Sequence, residues 1–356
     1  MKLLIQPEDG IGPLAAAIKK AKKSVHVVIF RFDRAEIEAE LKKAAERGVS
    51  VSALIAYANR GGEKSLRKLE MRLLEAGVTV SRTADDLSRY HAKLLVIDRR
   101  LLYVMSFNFT HLDIDHSRGF CVVTKKDKLV QEALRLLKAD NDRTPYEAGL
   151  DTFVVSPVNA RKQLLALILR AKKELLVYDP KIADAEMLRA LRERAKKGVN
   201  VRVIGTVGRK SPHLKVRPLG GFRLHARTIV CDRREVFVGS QSLRKAELDS
   251  RREVGVIVRD SKVVSGVVNT FEADWGAKDA AEPTLDTTHV LKKRLKETVE
   301  KLSPLNPLVK EAVNEVVSKK GSAGLNKTDV KVTVAKAVKE AVRERVQEML
   351  NESVEE

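Results

Sequence analysis

Arg89-Tyr90-His91-Ala92-Lys93-Leu94-Leu95-Val96-Ile97-Asp98 and Arg223-Leu224-His225-Ala226-Arg227-Thr228-Ile229-Val230-Cys231-Asp232 are one phrase written twice, 134 positions apart. Each copy is followed at the same distance by a short polar run, Ser106-Phe107-Asn108 in the first and Gly239-Ser240-Gln241-Ser242 in the second. A duplication at fixed spacing predicts two like lobes. A repeated set of His, cation, Asp and small hydroxyl or amide residues is what two halves of one phosphate site look like.

The likeness extends outward from the phrase. Ala21-Lys22-Lys23, an apolar run over 25–32, a helical pattern over 35–47 and Gly48-Val49-Ser50-Val51 are echoed by Ala171-Lys172-Lys173, 175–178, 185–197 and Gly198-Val199-Asn200-Val201, here at an offset of 150. The first half therefore carries 16 extra residues before its histidine, and 63–76 reads as an added helix. Near-continuous apolar strands are predicted at 25–32, 51–56, 93–97, 101–105 and 120–123, then at 174–178, 201–204, 228–231, 236–238 and 254–258. Buried strands alternating with helices indicate an α/β fold with sheets covered on both faces. The expected architecture is two lobes, 1–148 and 149–276, related by a pseudo-two-fold axis, each a mostly parallel or mixed sheet flanked by helices. A helical appendage is expected over 277–356, where apolar residues recur at helical spacing between Pro304, Pro307 and the Gly321 to Gly324 turn.

Composition narrows the partners. The net charge is +20, but after residue 276 the chain carries 15 Lys and Arg against 14 Asp and Glu, so the basic field belongs to the lobes. An anionic phospholipid or membrane surface, or alternatively nucleic acid, suits such a field. Aromatic content of 4% argues against base-stacking platforms. No run approaches the ~18 apolar residues of a membrane span, and the first residues are too polar for a secretory leader. The two cysteines, Cys121 and Cys231, fall in predicted strands, which points to a reducing compartment rather than a disulfide scaffold. The expected location is cytoplasmic and peripheral on the inner membrane face, with a homodimer formed through the C-terminal helices.

On a strand, His91 and Lys93 share a face. A phosphodiester calls for a cation on its nonbridging oxygens, an imidazole as nucleophile or proton donor, and hydroxyl or amide donors around it. Two copies allow one imidazole to attack phosphorus while the other protonates the leaving oxygen. The cations take the electrostatic role that a metal would otherwise fill.

These motifs resemble those of the phospholipase D superfamily, His-x-Lys-x4-Asp followed by a Gly-Ser-x-Asn-like run. His91, Lys93, Asp98, Ser106 and Asn108 match, with Met105 where Gly is usual. His225, Asp232, Gly239 and Ser240 match, with Arg227 for the lysine and Ser242 for the asparagine. The resemblance covers residues 1 to about 276 and implies the duplicated fold, a phosphohistidine intermediate, no metal and no cofactor. It makes His225, His91, Lys93, Arg227 and Glu253 candidate catalytic residues, and Ser106, Asn108, Ser240, Ser242, Asp98 and Asp232 candidate substrate contacts.

Family members also place a carboxylate beyond each motif. Glu253 stands 28 residues after His225, while the matching position after His91 is Gly119. The expectation is that Glu253 orients His225 as the nucleophile, leaving His91 to handle the leaving-group proton; the alternatives are that Asp113 or Asp115 stands in for the missing carboxylate, or that the complete Lys93 motif marks the nucleophilic half. Arg118 and Arg252 match each other and read as phosphate contacts or surface charges. The activity expected is a phosphodiesterase or phosphatidyl transferase acting on phospholipid head groups, a phospholipase D or a cardiolipin-synthase-like enzyme. The alternatives are a nuclease of the same superfamily and a non-catalytic phosphate-binding scaffold.

Overall fold

The computed structural model describes residues 1–56, 63–83, 87–208 and 211–277. The predicted tail helices lie outside the described residues.

The two lobes build the same sheet. In the first, the strands run in the order Lys2–Gln6, Ser117–Thr124, Leu101–Met105, Leu94–Ile97, Ser24–Ile29, Ser50–Ile55, Thr79–Arg82. In the second the order is Phe153–Val155, Val254–Val258, Glu235–Gly239, Thr228–Cys231, Glu174–Ile182, Asn200–Val207, Lys215–Arg217. Each sheet is mixed. Ser24–Ile29, Ser50–Ile55 and Thr79–Arg82 are parallel, as are their counterparts, and the remaining neighbours are antiparallel. The added helix of the first lobe forms over Glu63–Glu75.

Alternation along these strands feeds two different cores. In the first sheet Val27, Ala53, Leu95 and Met105 point outward onto the helices Gly12–Lys19 and Ala35–Glu46, whose Leu14, Ile18, Ile37 and Leu41 are fully buried. Val28, Leu54, Leu94 and Val104 point the other way, into a central core shared with the second sheet's Leu176, Val230 and Val238. Two long helices, Asp127–Asp142 and Ser261–Gly276, contribute Leu129, Leu136, Val263 and Phe271 to that same core. Helix Ala160–Leu169 and helix Ala185–Lys196 cover the outer face of the second sheet. Runs with no polar member, such as Leu94–Ile97, are what burial on both faces demands.

Tight turns hold the repeated strands in register. Asp98 and Arg99 both sit at φ 52°, and Asp232 and Arg233 repeat this at 52° and 54°, a left-handed pair in each turn, which is closed by the Arg100 N–H on the Ile97 carbonyl and the Arg234 N–H on the Cys231 carbonyl, both at 3.0 Å. The lobes then exchange short strands. Arg89–Tyr90 runs parallel to Arg251–Arg252 of the other lobe, and Arg223–Leu224 runs parallel to Ser117–Arg118. Because the strand before each histidine pairs with the segment beyond the other motif, both motifs meet where the lobes cross.

Candidate active site

The crossing positions the two histidines. The His91 N–H donates to the Arg252 carbonyl at 2.8 Å, and the His225 N–H donates to the Arg118 carbonyl at 3.2 Å. The residue after each of those carbonyls then faces the imidazole of the opposite lobe. After Arg252 comes Glu253, and its carboxylate meets His91 Nδ1 at 2.8 and 3.0 Å. After Arg118 comes Gly119, which offers His225 nothing.

The expected pairing of Glu253 with His225 is therefore reversed. Sequence proximity placed the carboxylate with the motif of its own lobe, whereas the strand exchange delivers it to the other. The carboxylate that raises imidazole basicity and fixes its tautomer therefore stands on His91. With Nδ1–H donated to Glu253, the lone pair of Nε2 is left for the cleft.

His225 stands differently. Its Nδ1 lies 3.5 Å from Asp113 Oδ2, within ion-pair range, yet it makes no hydrogen bond. The Asp113 carboxylate is already engaged by the Asn108 N–H at 2.8 Å, by Asn108 Nδ2 at 2.6 Å and by Arg223. Its counterpart 134 residues on is Glu247, which accepts the Ser242 N–H at 2.8 Å and Arg251 Nη1 at 3.2 Å. Sequence reading gave Asp113 no firm place and missed Glu247. The shared offset with the histidines was the signal available.

Lys93 and Arg227 occupy equivalent places. Lys93 Nζ donates to the His91 carbonyl at 2.8 Å and Arg227 Nη1 to the His225 carbonyl at 2.9 Å. Each keeps further donors, and Arg227 Nε is buried without a hydrogen bond, 3.7 Å from Glu247 Oε2. Phe30 packs edge-on against the His91 ring with centroids 4.6 Å apart and lies under the Lys93 ammonium at 5.5 Å.

Burial dominates the electrostatics. It holds His91 well below the ordinary imidazole value, helped by Lys93 and Arg227, and does the same to His225, helped by Arg227, Arg223 and Lys93. Burial also pulls Lys93 down to about 7 and pushes Glu253 up to about 7. Burial beside these cations favours the neutral form of both imidazoles, and a negative charge placed next to them favours the protonated form.

The other candidates support this centre rather than line it. The Ser106 and Ser240 hydroxyls accept the N–H groups of Phe120 and Val254, each at 3.0 Å, pinning the strands at the crossing. The Ser242 hydroxyl donates to the buried Asp179, whose carboxyl burial pushes upward. Asn108 retains a buried amide oxygen with no partner. Asp98 and Asp232, expected among the substrate contacts, lie at the far ends of their strands. Asp98 accepts the N–H groups of Lys22, Lys23 and Ser24, and Asp232 those of Lys172, Lys173 and Glu174, so these carboxylates brace turns. Arg118 and Arg252 are neither phosphate contacts nor surface charges. The first is buried on Glu8 and Asp274, the second on Asp140.

A family model described as "Cardiolipin synthase, PLD-like domain" matches residues 14–140 and 164–275, one match per lobe. A polyphosphate kinase of Prosthecochloris aestuarii is 24% identical over 303 residues, covering 76% of this chain. This chain spans only 42% of that relative's length. A cardiolipin synthase of Oceanobacillus iheyensis is 25% identical over 341 residues, covering 80% of this chain and 70% of the relative. The crystal structure of phosphatidylserine synthase from Haemophilus influenzae superposes with a TM-score of 0.59 at 13% identity, over 85% of this chain and 94% of that one.

Proposed function

This chain belongs to the phospholipase D superfamily, in the family of cardiolipin-synthase-type, PLD-like domains, and from that premise we propose that it transfers or hydrolyses the phosphodiester of a phospholipid head group through a phosphohistidine on His91. The observation that carries the proposal is the Glu253 carboxylate on His91 Nδ1 at 2.8 Å, opposite a His225 with no such bond.

In this mechanism His91 Nε2 attacks phosphorus, and the P–N bond forms as the P–O bond to the leaving alcohol breaks. His225 gives that departing oxygen its proton. Water or an acceptor alcohol then gives a proton to His225 and displaces the imidazole from phosphorus, restoring both residues. Lys93 and Arg227 neutralise the nonbridging oxygens throughout, so the charge that develops in each transition state meets donors already in place. Glu253 stabilises the positive charge that His91 acquires while bonded to phosphorus.

The lipid reading draws on the basic charge of the lobes and on the relative named cardiolipin synthase, which is matched over most of its length. It is tested by incubating the full chain with phosphatidylglycerol vesicles, single-stranded DNA and polyphosphate in parallel. Release or exchange of the lipid head group, lost in His91→Ala, is the expected result. Cleavage of DNA or turnover of polyphosphate with no action on lipid would replace the substrate class while keeping the two-histidine chemistry. Binding without turnover of any of the three would leave the scaffold reading.

A further inference from the structure

At the opposite end of strand Leu94–Ile97 from His91, about 20 Å away by strand rise, the first lobe has a groove of ≈ 690 Å³. Lys20, Arg100 and Lys125 line it together with Asp98, Asp127, Leu101 and Tyr103. All three cations are exposed, and among the described residues none forms an ion pair. Of the two carboxylates, Asp98 is committed to backbone N–H groups and Asp127 accepts from Gln131 Nε2 at 3.2 Å. Among the described residues the Tyr103 hydroxyl has no hydrogen-bond partner, and burial pushes it up to about 12, so it remains a donor.

The second lobe shows what belongs in such a place. The residues matching Lys20, Arg100 and Lys125 are Arg170, Arg234 and Arg259, and the residue matching Leu101 is Glu235. There the Glu235 carboxylate, 8% exposed, bridges Arg170 at 3.2 Å and Arg259 at 3.4 Å. The first lobe has Leu101 where the second has that internal anion, with a cation at each of the three matching positions. It also has a hydroxyl, since Tyr103 stands where the second lobe has Phe237.

We propose that this groove is a second anion site, separate from the catalytic cleft, in which Lys20, Lys125, Arg100 and the Tyr103 hydroxyl hold a phosphate group in the place that Glu235 fills in the second lobe. The phosphate is that of a lipid head group or a free phosphate, and a site so far from His91 acts as an anchor or sensor for the anion rather than in its turnover.

The most telling variant restores the missing carboxylate. Calorimetric titration of the full chain with inorganic phosphate should find two sites per chain in the wild type, cleft and groove, and one in Leu101→Glu. The rate on a soluble p-nitrophenyl phosphodiester should stay unchanged. Lys20→Gln/Lys125→Gln, at exposed positions where folding is not at risk, should lose the same site. Lys196→Gln/Lys197→Gln, an equal charge removed elsewhere, should keep it. A flotation arm separates the sources. Partition onto phosphatidylglycerol vesicles falling about fivefold per cation removed assigns the head group, whereas unchanged partition with a lost phosphate site assigns free phosphate. Equal phosphate stoichiometry and equal partition in all four proteins would overturn the proposal.

Discussion

The two halves of the catalytic centre are built from matching parts, and they differ where chemistry needs them to. His91 and His225 enter on equivalent strands, Lys93 and Arg227 donate to equivalent carbonyls, and Ser106 and Ser240 pin equivalent crossings. Among the pairs that differ, the one that decides which imidazole meets a carboxylate is Glu253 against Gly119. One imidazole consequently has a carboxylate at 2.8 Å and the other has only Asp113 at 3.5 Å, with that carboxylate engaged elsewhere. The two histidines therefore stand in different electrostatic surroundings, and the division of labour proposed above rests on that difference.

The largest effect that tests this difference is deletion of each imidazole. His91→Ala should lower turnover by about 10,000-fold on every substrate. His225→Ala should be as damaging with a poor leaving group but recover much of its rate with p-nitrophenolate, which needs no proton. Equal losses on both substrates would break the division of labour.

Next in size is the carboxylate pair. Glu253→Gln should slow the reaction about 100- to 1000-fold, by analogy with other carboxylates that orient a catalytic histidine. Asp113→Asn should cost less in rate than Glu253→Gln, since this carboxylate stands 3.5 Å from His225 Nδ1 without a hydrogen bond to it. Steady-state kinetics on one chromogenic phosphodiester compares the two, and the reverse order would exchange the roles of the histidines.

The pH profile should be bell-shaped with a narrow top near 7. Glu253 acts as the anion, and with burial pushing it up to about 7, activity falls as pH drops through that value and the carboxylate takes up a proton. Lys93 acts as the cation, and with burial pulling it down to about 7, kcat/KM falls as pH rises and the ammonium loses its proton. Each limb should approach tenfold per pH unit. Lys93→Arg, which stays charged at every pH in the range, should remove the alkaline limb only.

The smallest effects concern what the Gly119 position cannot accept and what the centre does not need. A Cβ on Gly119 would meet Phe107 Cδ1 at 2.9 Å, with the ring fully buried. Gly119→Ala should therefore destabilise the fold by about 1–3 kcal/mol in urea unfolding. EDTA should leave the rate unchanged, because Lys93 and Arg227 supply the positive charge.

Much of this was legible in the chain. The repeated phrase carried the two-lobed fold, and uniformly apolar runs such as Leu94–Ile97 marked strands buried on both faces. The edge strands Lys2–Gln6 and Phe153–Val155 escaped because their apolar runs are short and broken by polar neighbours. The partner of Glu253 escaped for a different reason. Spacing places the carboxylate along the chain, but the pairing of Arg89–Tyr90 with Arg251–Arg252 is a contact between lobes, and no local pattern encodes it. Asp98 and Asp232 belong to the motif but stand seven residues beyond their histidines, at strand ends, where a carboxylate reads as a turn brace and the structure shows one.

The claim that His91 is the nucleophile is tested most directly by trapping the wild-type enzyme during turnover of a chromogenic phosphodiester and locating the acid-labile phosphoryl group by mass spectrometry. The adduct should sit on His91, should persist in His225→Ala and should be absent from His91→Ala. An adduct on His225 in the wild-type protein would contradict the account.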